Sequence, residues 1–241
     1  MSDVLEGLGV RVVRGGKAIL RGVDVRARAG QVLGVLGPSG AGKSTLFGAL
    51  VGELALDAGT VRFEGEDVTR VPLWVRARRG LGYVPQTPSV LLDLTVRDNL
   101  ETYARVAGVE PDVAAAAERV ELTQRLDVRA GSLSGGERRR LELARAVTRM
   151  PKALVCDEPF AGVDPAGAAR LGDLLHALAR DHGVAVVLAD HHVAEALRVC
   201  DIASLLLDGE IAVTAEPRAF EAHELVRGRY LGTWNVLDHP G

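Results

Sequence analysis

Aromatic side chains make up only 4% of the 241 residues, so any core must be built mainly from aliphatic groups. Cysteine is scarcer still. Cys156 and Cys200 are too few for a disulfide framework and lack metal-ligand spacing. No apolar run approaches the ~20 residues needed to span a bilayer; the longest, "VAVVLA" at 184–189, is strand-sized. The opening "MSDVLEG" has no basic and then apolar pattern of a secretory signal. Neither charge sign dominates. Lys and Arg total 29 against 32 Asp and Glu, a net charge of −3, which gives no electrostatic case for nucleic acid as the main partner. The expectation is a cytosolic, reduced protein that reaches a membrane only through a partner.

With 47% hydrophobic and 25% charged residues, the chain has the balance of a folded soluble domain large enough to bury a real core. Residues 8–36 read as short strands separated by turn signals at Gly15-Gly16 and Ala29-Gly30. "GTVRFEGEDV" (59–68) continues this antiparallel character, and "LGYVPQ" (81–86) reads as a strand ending at a polar residue. From about 93 to 150 the pattern is helical, with an alanine-rich stretch at 113–117. Strands return as "ALVC" and "VAVVLA", continuous aliphatic runs suited to a parallel sheet covered on both faces. "SLLLDGEIAV" reads as a hairpin turning at Asp208-Gly209. The pattern predicts an α/β core with an antiparallel β lobe at its start and a helical insertion in its middle. The division is about 1–86 plus 150–241 for core and β lobe, and about 87–149 for the helical lobe, all in one domain.

"VLGVLGPSGAGKST" is a strand, a glycine-rich loop and a helix start, and it fits G-x-x-x-x-G-K-[ST]. Over Gly37, Pro38, Ser39, Gly40, Ala41, Gly42, Lys43, Ser44 and Thr45 the backbone can turn its N–H groups inward as a nest for phosphate oxygens. Lys43 reaches the outer phosphates and the Ser44 hydroxyl ligates Mg²⁺. The expected ligand is therefore ATP with Mg²⁺. In "KALVCDEPF", Asp157 ends a buried strand where a carboxylate faces the ligand crevice and holds Mg²⁺, and Glu158 beside it is the candidate general base.

"LSGGERRRLELARA" (133–146) poses a puzzle. Ser134 and Glu137 have capping-box spacing, but a plain cap has no use for Gly135 and Gly136, each costing up to ~1 kcal/mol against alanine in a first turn. Close approach of backbone to an anion does. A chain with one nucleotide would then carry two phosphate-type helix starts.

"LSGGE" resembles the signature of ATP-binding cassette ATPases, and the other family motifs follow in order over nearly the whole chain. The resemblance makes Gln86 in "YVPQ" the Mg²⁺-sensing glutamine that contacts the transporter. It makes Asp164 in "AGVDP" the aspartate that crosses the dimer interface. It makes His191 in "LADHH" the switch histidine, with His192 a solvated residue of the first helical turn. It implies a P-loop NTPase fold with a RecA-like core and head-to-tail pairing of two copies, or of one copy and a similar cassette, so that one subunit's Ser134, Gly135 and Gly136 cap the nucleotide held by the other. The adenine-stacking aromatic of the family is replaced by Val13 or Arg14, which makes Arg14 a candidate base contact with weak ATP-over-GTP discrimination. "LSGGERRR", "EPFAGVDP", "DHHVAEALRVCD" and "RYLG" are similar to the cassettes of lipopolysaccharide export, with branched-chain amino-acid importer cassettes the alternative. The tail "TWNVLDHPG" has no clear counterpart.

The resemblance implies an ATP-hydrolysing motor on the cytoplasmic face of an inner membrane, bound to integral membrane subunits. Val90 and Leu91 are placed to line a groove for a short helix of the membrane partner, with Leu94 and Leu92 packed inward. Soluble cassettes of DNA repair need long coiled-coil insertions that ninety residues cannot hold, and translation-type factors fuse two cassettes where this sequence has one motif set.

Overall fold

The computed structural model describes residues 2–232; the tail 233–241 lies outside the described residues. Strands β1 (Asp3–Arg14), β2 (Lys17–Arg28), β4 (Ala58–Phe63) and β5 (Glu66–Asp67) form an antiparallel sheet in the order β2-β1-β4-β5. The second sheet holds β3 (Val32–Leu36), β6 (Leu81–Val84), β7 (Ala153–Asp157), β8 (Ala185–Ala189), β9 (Ile202–Leu207) and β10 (Glu210–Ala215), in the order β10-β9-β3-β8-β7-β6. It is parallel throughout except at the β9–β10 hairpin. That hairpin turns at Asp208 and Gly209, both at positive φ (52° and 82°), as two-residue turns of this kind require. The first two strands run longer than the sequence pattern suggests, twelve residues each. The ladder between them shifts register near Gly7–Val10, so bulges let the pair bend around the core without ending.

The parallel sheet is buried on both faces. Val32 and Leu36 of β3, with Leu154, Cys156, Val186 and Leu188, pack toward α6 (Pro165–His182) and α7 (Val193–Val199). Leu33 and Val35, with Val155 and Val187, pack the other way against α1 (Lys43–Val51) and the antiparallel sheet. This period-two division of one aliphatic run is why "VLGVL" and "VAVVLA" show no alternation with polar residues. A third core, Val96, Leu100, Ala117, Leu122, Leu133 and Leu141 among others, knits α3 (Val96–Ala107), α4 (Val113–Arg119) and α5 (Gly135–Ala146) into the helical lobe. The short helices α2 (Leu73–Arg78), α8 (Pro217–Ala222) and α9 (Glu224–Val226), and the π-helical turn Arg227–Leu231, carry too few periodic positions to stand out in the sequence.

Two details of the expected partner groove need correction. Val90 is buried in the helical-lobe core, whereas Leu92, expected inside, is exposed. Asn99 explains the arrangement: its side-chain amide donates to Leu91 O and accepts from Leu91 N, both at 3.0 Å. This fixes the loop so that Val90 points in and Leu91 and Leu92 out.

The phosphate-loop helix ends on a buried cation. Arg76, 1% exposed, donates to the carbonyls of Ala49 and Leu50 in the last turn of α1 and to those of Thr69 and Val71. A guanidinium there satisfies carbonyls that a helix C-terminus leaves unpaired and complements its negative end. Arg76→Ala leaves these buried acceptors without a donor. The expected loss is about 3 kcal/mol, read as a lower urea midpoint with an unchanged m-value.

Candidate functional site

Loops after the carboxyl ends of β3, β6, β7 and β8 open into one cleft of about 710 Å³, the place where open α/β sheets bind ligands. Gly37, Pro38, Ser39, Gly40, Gly42, Lys43, Ser44 and Thr45 line it from the phosphate loop, and Gln86, Glu158 and His191 from the other loops. Ala41 does not; it is buried beneath the loop. The N-terminus of α1 has Gly42 at its cap, at φ 108°, with no side chain bonded to it and no acid in its first turn. Its amides are thus available to an anion. The Lys43 ammonium donates to the carbonyls of Gly37 (2.7 Å) and Pro38 (3.0 Å), and burial lowers its pKa against the opposing pull of Glu158 and Asp157.

Asp157 is 2% exposed, and its Oδ1 is buried without a hydrogen-bond partner. Burial raises its pKa, while the nearby Ser44 hydroxyl opposes the rise. Glu158 occupies left-handed backbone space at φ 52°, a conformation that costs of order 1–3 kcal/mol and survives only where the surroundings enforce it. They do so at both ends of the residue. Its amide donates to Ala189 O at 2.7 Å, and its carbonyl accepts from Arg139 at 2.9 Å. Its carboxylate then lies 3.4 Å from His191 Nδ1.

Asp190, Arg139 and Tyr230 also shape the site and went unread in the sequence. Asp190 is fully buried. Its carboxylate accepts from the Phe160 amide (2.8 Å) and the His192 amide (2.9 Å) and meets the His192 ring at 2.8 Å. It therefore ties the loop after β7 to the loop after β8. His192 is bound to this buried acid rather than merely solvated. An acid directly after an aliphatic strand, as at Asp157, was the available signal. Arg139 projects from α5, 6% exposed. It donates to the carbonyls of Pro85 (2.8 Å), Asp157 (2.6 Å), Glu158 (2.9 Å) and Pro159 (3.3 Å), and to Glu142 Oε2 (2.6 Å). Tyr230, from the C-terminal turn, forms part of the cleft wall.

Ser134, Gly135, Gly136 and Asp164 stand outside the cleft lining. The capping box is present, with the Glu137 amide donating to Ser134 Oγ (3.2 Å) and the Ser134 amide to Glu137 Oε2 (2.9 Å). Gly135 has a reason within the chain: a Cβ there would meet Gly162 O at 2.7 Å. Gly136 has none, because its nearest contact would be an ordinary 3.4 Å. Asp164 caps α6 by accepting from the Gly167 amide at 3.0 Å. Arg14 is not where the expectation put it. Its guanidinium donates to Val13 O (2.8 Å) and Ala55 O (3.4 Å) and faces Asp57 at 3.9 Å, so local carbonyls and a carboxylate hold it out of the cleft.

A phosphate loop, a strand-end Asp-Glu pair and a separate LSGGE helix on one α/β sheet define a nucleotide-hydrolysing cassette. Residues 20–161 match the ABC transporter family, and the chain belongs to that family as an ATP-binding, ATP-hydrolysing subunit. Among its relatives is the lipopolysaccharide export system ATP-binding protein LptB of Acidithiobacillus ferridurans, 36% identical over 96% of this chain and 98% of that one. LptB of Escherichia coli K12 is 37% identical over 90% and 92%. The solved structure of MJ1267, an ATP-binding cassette of an ABC transporter, in its ADP conformation, superposes with a TM-score of 0.86 at 27% identity, over 96% of this chain and all of that one.

Arg139 is expected to position the catalytic loop rather than to bind nucleotide. Arg139→Met should lower turnover at least about tenfold with ATP affinity little changed. Pairing it with Glu142→Leu, which removes the stranded carboxylate, should restore stability but not turnover. Recovery of turnover in the double variant would show that Arg139 serves folding alone.

Proposed function

We propose that this chain is the ATP-hydrolysing subunit of a lipopolysaccharide-export transporter, working on the cytoplasmic face of the inner membrane with integral membrane subunits. Similarity to LptB over nearly the full length of both chains carries the cargo assignment. The catalytic assignment rests on one observation: Lys43, Ser44, Gln86, Glu158 and His191 line a single cleft.

Glu158 is the general base. Its carboxylate takes a proton from the attacking water as the water oxygen bonds to the γ-phosphorus and the bond to ADP breaks, giving ADP and phosphate. His191, beside Glu158, holds that carboxylate and the terminal phosphate in register. Ser44 and Asp157 are the residues that would hold Mg²⁺, with Gln86 at the edge of the site. A buried carboxylate oxygen lacking a donor, next to a hydroxyl, suits a hard cation with oxygen ligands. When bound, that ion supplies charge neutralisation on the phosphates.

Because the signature residues lie outside the cleft of their own chain, the second helix start is read as serving a second copy or a similar cassette. Gly136, free of any contact that forbids a side chain, is the position where backbone approach to a partner's nucleotide explains the residue. Arg14 has no part in this reading.

The membrane partner is assigned to an apolar groove of about 380 Å³ between α2, β6, α3 and α5, walled by Trp74, Tyr83, Tyr103 and Val106. Arg145 lies 3.5 Å over the Tyr103 ring and donates to Ser89 O, so the wall is joined to the segment that follows Gln86. A short amphipathic helix of the membrane subunit fits such a groove.

Glu158→Gln should cut turnover at least about 100-fold while ATP binding persists and ATP traps a dimer seen by size-exclusion chromatography. Near-normal hydrolysis would remove Glu158 from its role. Val106→Glu, on an exposed position, should leave ATP binding by the isolated chain intact but abolish copurification with the membrane subunits; an intact complex would place the docking surface elsewhere.

A further inference from the structure

Besides Ile19, the cleft wall contains two residues that no nucleotide motif of the chain accounts for. Arg229 and Tyr230 arrive from the π-helical turn Arg227–Leu231, a widened geometry that often marks functional positions. They behave in opposite ways. Tyr230 is anchored: it is 7% exposed and packs within the large core. Arg229 is loose. Its side chain is 61% exposed and meets Asp208, itself 74% exposed, at 3.5 Å. An ion pair that open to water is worth about 0–1 kcal/mol, so the guanidinium can leave it at little cost.

The charges around the cleft give that mobility a use. Lys43 and Arg229 are the Lys and Arg side chains among its described lining residues. The Lys43 ammonium is turned back onto the carbonyls of its own loop. On the acidic side, Glu158 lines the cleft, and Asp157 and Asp190 are buried behind it. A polyphosphate entering this space needs a second donor with fixed charge, and a guanidinium presents a fork that matches phosphate oxygens. Arg229 sits in the cleft wall next to a residue buried in the core, so its stem is already placed.

We propose that Arg229 is a cationic ligand of the ATP polyphosphate that leaves Asp208 when nucleotide binds. The inference rests on the ATP-binding reading of the cleft. Asp208 then competes with nucleotide for one guanidinium, and the β9–β10 hairpin holds Arg229 at the cleft mouth until phosphate displaces it.

Equilibrium binding of ATP to the full chain, with displacement by inorganic tripolyphosphate, tests this for the wild type and for Arg229→Gln, Asp208→Asn and Lys43→Ala. Arg229→Gln should weaken ATP and tripolyphosphate alike by about tenfold and flatten the dependence of affinity on salt. Asp208→Asn should tighten both. Weakening for ATP but not for tripolyphosphate would assign Arg229 to the base or ribose and overturn the proposal, as would wild-type binding of both ligands by Arg229→Gln. Lys43→Ala separates the two levels. If it weakens binding while Arg229→Gln does not, the cleft reading stands and the role of Arg229 falls; if Lys43→Ala binds like the wild type, the cleft reading itself fails.

Discussion

One guanidinium holds the loops around the cleft in place. Arg139 starts from the signature helix and ends on the backbone carbonyls of Pro85, Asp157, Glu158 and Pro159. These carbonyls belong to the strand end before Gln86 and to the turn that carries Asp157 and Glu158. Being buried, its hydrogen bonds are strong and expensive to lose. The left-handed backbone at Glu158 is tolerable because this contact and the Ala189 carbonyl leave it no alternative. The helical lobe and the chemistry are thereby joined through backbone, so rotation of α5 has to move Gln86 and Glu158 together. Glu142 keeps that charge neutral and reaches on to Ser89, carrying the same linkage to the edge of the apolar groove.

How much of this was legible depends on whether a residue acts locally or at a distance. The phosphate loop, the Asp157-Glu158 pair and the Asp208-Gly209 turn are short-range chemistry: glycines where the backbone must approach, acids where a buried strand ends. They could be placed from sequence alone. The strand pattern was equally plain because a doubly covered parallel sheet has no polar face to confuse it. Arg139 is one of three consecutive arginines, and nothing in "RRR" tells which one points inward. Asp190 gained its meaning from Phe160, thirty residues away. The C-terminal wall was hidden for a similar reason: "RGRY" has no periodicity, and only the fold brings it beside residue 37.

The misread positions share a cause. The family resemblance puts Val13 or Arg14 where an aromatic would stand, but the neighbourhood of Arg14 offers two carbonyls and Asp57, and a guanidinium takes the nearest acceptors. Val90 and Leu92 exchanged places because a single asparagine, Asn99, sets the loop phase. Gly135 was read as an anion-binding glycine, and the carbonyl of Gly162 supplies a requirement inside the chain. Gly136 carries no such requirement inside the chain.

The position of β3 in its sheet bears on how the protein is made. Its hydrogen-bonded neighbours are β8 and β9, with Leu33 opposite both Val187 and Ile202. The strand that launches the phosphate loop therefore has no sheet partner until more than 150 further residues have been synthesised. Pairings this distant in sequence form late. During translation the antiparallel lobe can close first, while the aliphatic strand at 32–36 waits exposed for the ribosome to deliver its flanks. Nucleotide binding thus waits on the synthesis of β8 and β9, and fragments released before them would expose this unpaired apolar strand to aggregation and to chaperones.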